Sequence, residues 1–288
     1  MLGITIAITC AFTWSLSIIL LKIASHTVNP LVLNLGKNIL GLCLLVPTAI
    51  LIDGPFPDIQ QRHLIILFLS GFFGIGIADA LMLKAMKSLS ASRIAILECL
   101  FAPFVITLSI LFLGESINIS QGLGAVSIGL SLILVLPKGG FGDSQSKKGT
   151  IYMIMGLLTM AAAILAVKPI FDSVSLLWII SIRMMAGVLG SFVPFTFIKD
   201  RRVKVTQLFK VERRWILFLG FFLSAYVSIS LWIAGYKYLQ ASVASVLNQT
   251  STIFTVLLAI FILKEELTAK KVLATILATV GVIIMSAH

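Results

Sequence analysis

Residues 87–98 read KSLSASRIAILE, and residues 237–248 read KYLQASVASVLN. The pattern K-x-L-x-A-S stands at Lys87, Leu89, Ala91 and Ser92 and returns at Lys237, Leu239, Ala241 and Ser242, each time entering an apolar run. The register holds beyond the motif: Phe104 falls on Phe254, Leu113 on Leu263 and Glu115 on Glu265. Nearer the N-terminus a slightly different offset pairs Gly3 with Gly149, Lys22 with Lys168 and Lys37 with Arg183. With one more residue inserted, Val46-Pro47 meets Val193-Pro194. Matches that include charges and proline are not low complexity imitating itself. The chain therefore reads as two copies of one unit, 1–137 and 149–288, joined by a linker at 138–148.

Composition says where those copies live. Of 288 residues 59% are hydrophobic and 11% charged, and mean hydropathy is +1.11. A soluble domain carries about 25% charged residues, and no soluble fold of this length has interior enough to hide so much apolar surface. The chain is expected to be an integral membrane protein. Apolar blocks recur at 3–21, 31–52, 63–83, 90–113, 119–136, 149–167, 175–198, 215–236, 241–263 and 269–286. A spanning helix needs about 20 such residues, so the expectation is ten transmembrane helices. Membrane β-strands would alternate apolar and polar positions. These blocks do not alternate, which makes the fold class all-α. Cys10, Cys43 and Cys99 sit inside apolar runs and read as structural thiols. The first block lacks a positive leader region and is read as span 1 rather than a signal peptide.

Five spans per copy is an odd number, so the second copy must lie upside down relative to the first. Charge agrees. Nearly all Lys and Arg sit in connections, most of them after odd-numbered spans, with Lys199, Arg201, Arg202 and Lys204 the densest group. The positive-inside rule places those loops in the cytoplasm and both termini outside. The same distribution turns the net charge of +11 into a topology signal and argues against nucleic acid. Inverted repeats are characteristic of secondary transporters, whose halves rock about a site near the bilayer midplane.

With these features in place, the sequence resembles the drug/metabolite transporter superfamily, specifically its ten-span EamA-like members. The resemblance rests on Trp14-Ser15 followed by Lys22, the basic Lys37 and Arg183, the two K-x-L-x-A-S exits, Pro103, and the ends Gly114-Glu115 and Lys264-Glu265. Span 6 lacks a Trp, Lys264 replaces Gly, and Ile253 stands where Pro103 stands in span 4. The resemblance implies spans 1–4 and 6–9 around a central cavity, spans 5 and 10 at the periphery, and export of amino acids or similar small metabolites.

Intramembrane charges identify the candidate site. A charge near the bilayer centre costs about 2.5–3.5 kcal/mol on insertion scales. Lys37, Asp79, Glu98 and Arg183 each need a reason to be there. At 1.5 Å of rise per residue, Lys37, Glu98 and Asp79 lie ~9, ~12 and ~7 Å from cytoplasmic loops, in one inner layer, while Arg183 counts from the outer side. Lys37 and Arg183 suit a carboxylate or other anionic group. Glu98 and Asp79 suit an ammonium or a coupling proton, because burial and a neighbouring cation tune a carboxyl in opposite senses. The competing reading is a static pair of Lys37 with one carboxylate. Trp14, Tyr226, Asn248 and Gln249 are further lining candidates. Trp178 and Trp232, near span ends, read as interfacial anchors. Glu115 and Glu265 read as caps of the helices that come after them. The glycines of spans 3 and 5, among them Gly71, Gly74, Gly76, Gly122 and Gly129, read as close-packing positions.

No nucleophile–base pair, metal-ligand cluster or phosphate-binding loop is legible. The expectation is a non-enzyme without cofactor or metal, acting on a small-molecule substrate in the lipid bilayer, in a bacterial inner or plasma membrane. A homodimer stays open. The alternatives are a sugar-phosphate or nucleotide-sugar exchanger, favoured by two cavity cations, and a non-transporting receptor or assembly subunit.

Overall fold

The computed structural model describes residues 2–113, 119–135, 144–209, 214–238, 241–266 and 268–286. The motif Gly114-Glu115 and the break Lys138-Gly139-Gly140 lie outside them.

Every described element is helical: α1 (Leu2–Ser25), α2 (Pro30–Asp53), α3 (Gln61–Gly71), α4 (Asp79–Met86), α5 (Ala91–Glu98), α6 (Phe101–Leu113), α7 (Ile119–Val135), α8 (Ser144–Val167), α9 (Leu176–Thr196), α10 (Arg201–Phe209), α11 (Arg214–Phe222), α12 (Ile229–Tyr238), α13 (Ala241–Leu263) and α14 (Ala269–Ser286). Six of the rods they form are long and apolar enough to cross a bilayer: Gly3–Ser25, Pro30–Asp53, Gln61–Met86, Ser144–Ile170, Leu176–Thr196 and Arg214–Gly235. Gly122–Ser131 and Thr250–Leu263 are shorter apolar helices. The outer surface is that of a lipid-facing protein, with Leu51 84% exposed, Phe112 75% and Phe261 78%. The interior holds Lys37, Asp79, Glu98 and Arg183, all buried. Such an inversion of the soluble pattern is stable only where the solvent is hydrocarbon.

Local chemistry sets the ends. Asn29 accepts the Leu31 N–H at 3.0 Å ahead of Pro30, whose missing N–H has no partner to lose at a first helical position. Ser90 caps α5 through the Arg93 N–H at 3.3 Å. Thr268 caps α14 through the Lys271 N–H at 3.3 Å. Helix α8 starts at Ser144, inside the stretch expected to be linker.

Loop partners show the inversion directly. Lys22, His26, Lys87, Ser90, Leu263 and Glu265 surround one cavity, so loops 26–29, 87–90 and 264–268 share one end of the bundle. Arg93 donates to Ser146 Oγ at 2.6 Å and brings the start of α8 to that end. At the other end Trp178 Nε1 donates to the Gly54 carbonyl at 3.3 Å, joining loop 54–60 to the start of α9. In the first unit the loops after the first and third rods face the shared end. In the second unit it is the loop after the fourth rod. That arrangement is possible only if the units are antiparallel. Helix α2 packs on α9, α1 on α13, and α7 chiefly on α14.

Two departures from regular α-helix matter for the site. Segments Phe72–Ala78 and Leu223–Ser228 are π-helical, and they fall on each other at the repeat offset. A π-turn leaves backbone carbonyls available on its widened face. Asn34 Nδ2 donates to Gly76 O at 2.8 Å and Asn38 Nδ2 to Ile75 O at 3.3 Å, and both donate to Ser191 Oγ, at 2.9 and 2.8 Å. Two asparagines of α2 thus pin the first π-segment to α9. The glycines there are packing positions: a Cβ on Gly71 would strike the Arg183 backbone, and one on Gly76 would come within 2.6 Å of Gly190 Cα. The same reading fails for Gly122 and Gly129, where an added Cβ would meet no described atom within 4 Å.

The second departure is a break. Span 4, a single apolar block in the sequence, is folded as α5 and α6. They separate at Cys99-Leu100, where the N–H groups bond back only three residues, to Ile96 O at 3.2 Å and Leu97 O at 3.0 Å. Pro103 has no N–H to offer the Cys99 carbonyl four residues earlier. Its counterpart Ile253 does, and α13 runs unbroken.

Candidate functional site

The two units enclose a cavity of about 130 Å³. Its lining comes from α1, α2, α4, α5, α6, α8, α9, α12, α13 and both π-segments; none of the described lining residues comes from α7 or α14. Repeat partners line it together: Lys37 and Arg183, Glu98 and Asn248, Ile75 and Ala225, Trp14 and Met160.

The charges are arranged unequally. Lys37 Nζ donates to Asp79 Oδ2 in a buried ion pair between α2 and α4. Arg183 is 2% exposed, and its Nε and Nη1 have no hydrogen-bond partner among the described residues. It lies close enough to Asp79 for that charge to act on it. Asn248 Nδ2 and Oδ1 are likewise buried without a partner among the described residues. Glu98 stands apart from the pair, at the C-terminal end of α5 immediately before the break, interacting with the Trp14 side chain. A buried guanidinium edge and a buried amide with no protein partner are costly, and a solute carrying acceptor and donor groups would satisfy them.

The structure brings Lys37, Asp79, Glu98, Arg183, Trp14 and Asn248 to one cavity. Arg183, counted from the outer side, lines the same cavity as the three residues of the inner layer, and Asp79 is buried. Tyr226 is not among the lining residues. Its hydroxyl is engaged with Thr48 Oγ1 at 3.0 Å. Gln249 belongs to α13, but its side chain lies outside what the structure describes. Trp178 sits at a rod end, edge-on to Phe56. Trp232, expected to be an anchor as well, lines the cavity instead, with its ring 6.2 Å from Phe101. Ser224, Ser228, Met160 and Ser251 are lining residues that sequence reading does not single out. Repeat alignment is the available signal, since Ser224 and Ser228 correspond to Gly74 and Ala78 in the first π-segment.

Glu265 corrects another expectation. It does not cap the helix that comes after it. Its Oε1 accepts the Ala91 N–H at 2.7 Å, and its Oε2 accepts from Ser92 Oγ at 2.7 Å and Lys271 Nζ at 3.1 Å. The carboxylate of the second unit thus clasps the first turn of α5 in the first unit. The alanine and serine of K-x-L-x-A-S are its donors. Glu115 lies outside the described residues.

A helical membrane bundle of two inverted five-rod units, with a polar cavity at their interface, defines an integral multi-pass protein with the architecture of a transporter. The chain belongs to the EamA-like transporter family, whose model matches residues 1–136 and 147–287, within the drug/metabolite transporter superfamily. A solved structure described as "Crystal structure of protein" is similar over 98% of this chain and 97% of its own, with a TM-score of 0.69 and 14% identity, a likeness of fold alone. No curated relative matches the sequence.

Proposed function

We propose that this protein is a secondary carrier that exports amino acids or related small metabolites by alternating access. The observation that carries this reading is the unequal cavity: an unpartnered Arg183 edge beside the Lys37–Asp79 pair, with Glu98 set apart from them. A carboxylate binds at Arg183 through charge-assisted hydrogen bonds. The ammonium of a zwitterion, or a coupling proton, binds at Glu98. Trp14 and Trp232 provide aromatic walls, and Asn248 offers both a donor and an acceptor.

Size supports a small substrate. The cavity of about 130 Å³ is smaller than the pockets of about 300–1,000 Å³ that take drug-sized ligands. The pairing of Lys37 with Asp79 leaves one uncompensated cation rather than two, which counts against a sugar-phosphate or nucleotide-sugar exchanger. Residence in a bacterial inner membrane with both termini outside belongs to the same reading.

Proteoliposome flux of an amino-acid panel, with and without a pH gradient, tests it. Counterflow of labelled solute is expected for the wild type. Arg183→Ala is expected to raise the apparent KM about tenfold or more, the loss of one charge-assisted hydrogen bond of ~1.5–3 kcal/mol. Glu98→Gln is expected to abolish the response to the gradient. Wild-type flux in both variants removes the site assignment.

A further inference from the structure

A second cavity, of about 360 Å³, lies at the end of the bundle that carries the Glu265 clasp. Lys22, His26 and Lys87 line it, with Ser88 and Ser90 between them and Leu89 and Leu263 as apolar wall. The two ammonium groups have one carboxylate near them, Glu265, whose charge acts on Lys22 without an ion pair between the two. Among the described residues the ion pairs are Lys37–Asp79 and Lys271–Glu265, and neither includes them. The one carboxylate on the wall, Glu265, already accepts from Ala91, Ser92 and Lys271. Lys22 is held in place: it is 7% exposed, and its ammonium donates to the Met86 carbonyl, leaving further N–H donors. His26 responds to the crowding. Partial burial, then the charges of Lys22 and Lys87, hold its imidazole below the ordinary value. The cavity also adjoins the first turn of α5, whose N-terminal partial charge favours an anion.

We propose that this cavity binds a phosphate group, carried either by the headgroup of an anionic phospholipid or by a soluble phosphate. The Lys22 and Lys87 ammonium groups supply charge, the His26 imidazole and the Ser90 hydroxyl supply hydrogen bonds, and Leu89 and Leu263 border the site with apolar surface. Because Glu265 forms both a wall of this cavity and the clasp on α5, occupancy here bears on the same contacts that join the two units. The site is independent of the solute cavity: no described residue lines both.

The test uses the full chain in a zwitterionic detergent. Sodium phosphate is titrated calorimetrically. Separately, native mass spectrometry counts phosphatidylglycerol and phosphatidylcholine retained from mixed micelles. At least one probe is expected to bind with one-to-one stoichiometry, and phosphatidylglycerol is expected to be retained over phosphatidylcholine if the source is a lipid. Binding of phosphate alone assigns a soluble source; retention of phosphatidylglycerol alone assigns a headgroup. The exposed double variant His26→Ala/Lys87→Ala is expected to weaken binding by about tenfold or more, and Lys22→Met to do the same where it folds. Lys204→Ala, a basic position on α10 away from the cavity, is expected to leave it unchanged. Three results overturn the proposal: neither probe binds, the double variant binds as wild type does, or Lys204→Ala costs as much as the double variant. The double variant changes only exposed side chains, so its answer stands even if Lys22→Met does not fold.

Discussion

The Lys37–Asp79 pair is where a structural and a functional account of the same two residues come apart. Asp79→Asn would leave a buried ammonium with no counter-charge beside a second cation, Arg183. Breaking a buried pair from one side costs about 3–5 kcal/mol, and denaturation in detergent should register a loss of that size. Replacing both partners, as Lys37→Met/Asp79→Leu, removes the desolvation of two charges together but also takes the Asp79 charge from Arg183, so it should cost less stability than Asp79→Asn without being free. If the pair only ties α2 to α4, the double variant transports normally. If it holds the anionic end of the solute in place, the double variant is folded and inactive, and that is the expected result. The existence of these charges is legible in the sequence, because a Lys or Asp in an apolar span has nothing to hide among. Their pairing is not. Asp79 and Glu98 stand at similar depths, and only orientation about the rod decides between them. The π-segment Phe72–Ala78 ends immediately before Asp79. Each extra residue in a helix turns the later side chains by about 100°, so a regular helical wheel points Asp79 the wrong way.

The ten apolar blocks can be located from hydropathy alone, but what interrupts a rod depends on single atoms. Loss of one N–H at Pro103 splits span 4 beside Glu98, and its retention at Ile253 leaves α13 whole. The proline is visible in the sequence; whether it breaks the rod or merely bends it depends on packing. Pro103→Ala restores the donor. It is expected to stabilise the protein by about 1 kcal/mol or more and to slow turnover in the flux assay, because the break allows Glu98 to move relative to α6. Helix α10 is hidden from a hydropathy reading because its charges mark it as a connection, although Val205 and Leu208 stand three apart and pack against the core. The Glu265 clasp gives a pH dependence at this scale. Burial pushes the Glu265 carboxyl up, but the Ser92 hydroxyl, the Lys271 ammonium and the Ala91 N–H outweigh it and hold the group below its ordinary value. A depressed carboxyl contributes stability that is fully present above its unfolded value and is lost as pH falls through the folded one. The melting temperature of wild type should therefore exceed that of Glu265→Gln at neutral pH, by the equivalent of about 1 kcal/mol for a lost cap. The gap should close as pH drops through and below the ordinary carboxylate range. A gap that is constant with pH would show that the glutamate acts through shape and not charge.

Over the whole molecule, the two units repeat a backbone without repeating its chemistry. Trp14 corresponds to Met160, Glu98 to Asn248, and Asp79 to Ile229, and all six line the cavity. Inverted symmetry makes inward- and outward-facing arrangements geometrically equivalent, and these substitutions make them unequal in energy. In this conformation Glu265 ties the second unit to the first turn of α5 at the end formed by loops 26–29, 87–90 and 264–268. If the clasp biases the two-state equilibrium, cutting it must change access to the cavity from that end. Native Cys10 lines the cavity and is a ready reporter once lipid-exposed Cys43 and buried Cys99 are replaced by Ser and Ala. A membrane-impermeant thiol reagent is added to sealed vesicles of either orientation. From the clasped end Cys10 should react slowly in the otherwise wild-type chain. Glu265→Ala should raise that rate about fivefold, the population shift that ~1 kcal/mol produces, while labelling from the opposite end should fall. Equal rates from the clasped end with and without Glu265 would mean that the carboxylate merely caps α5 and that closure of this end is held by other contacts.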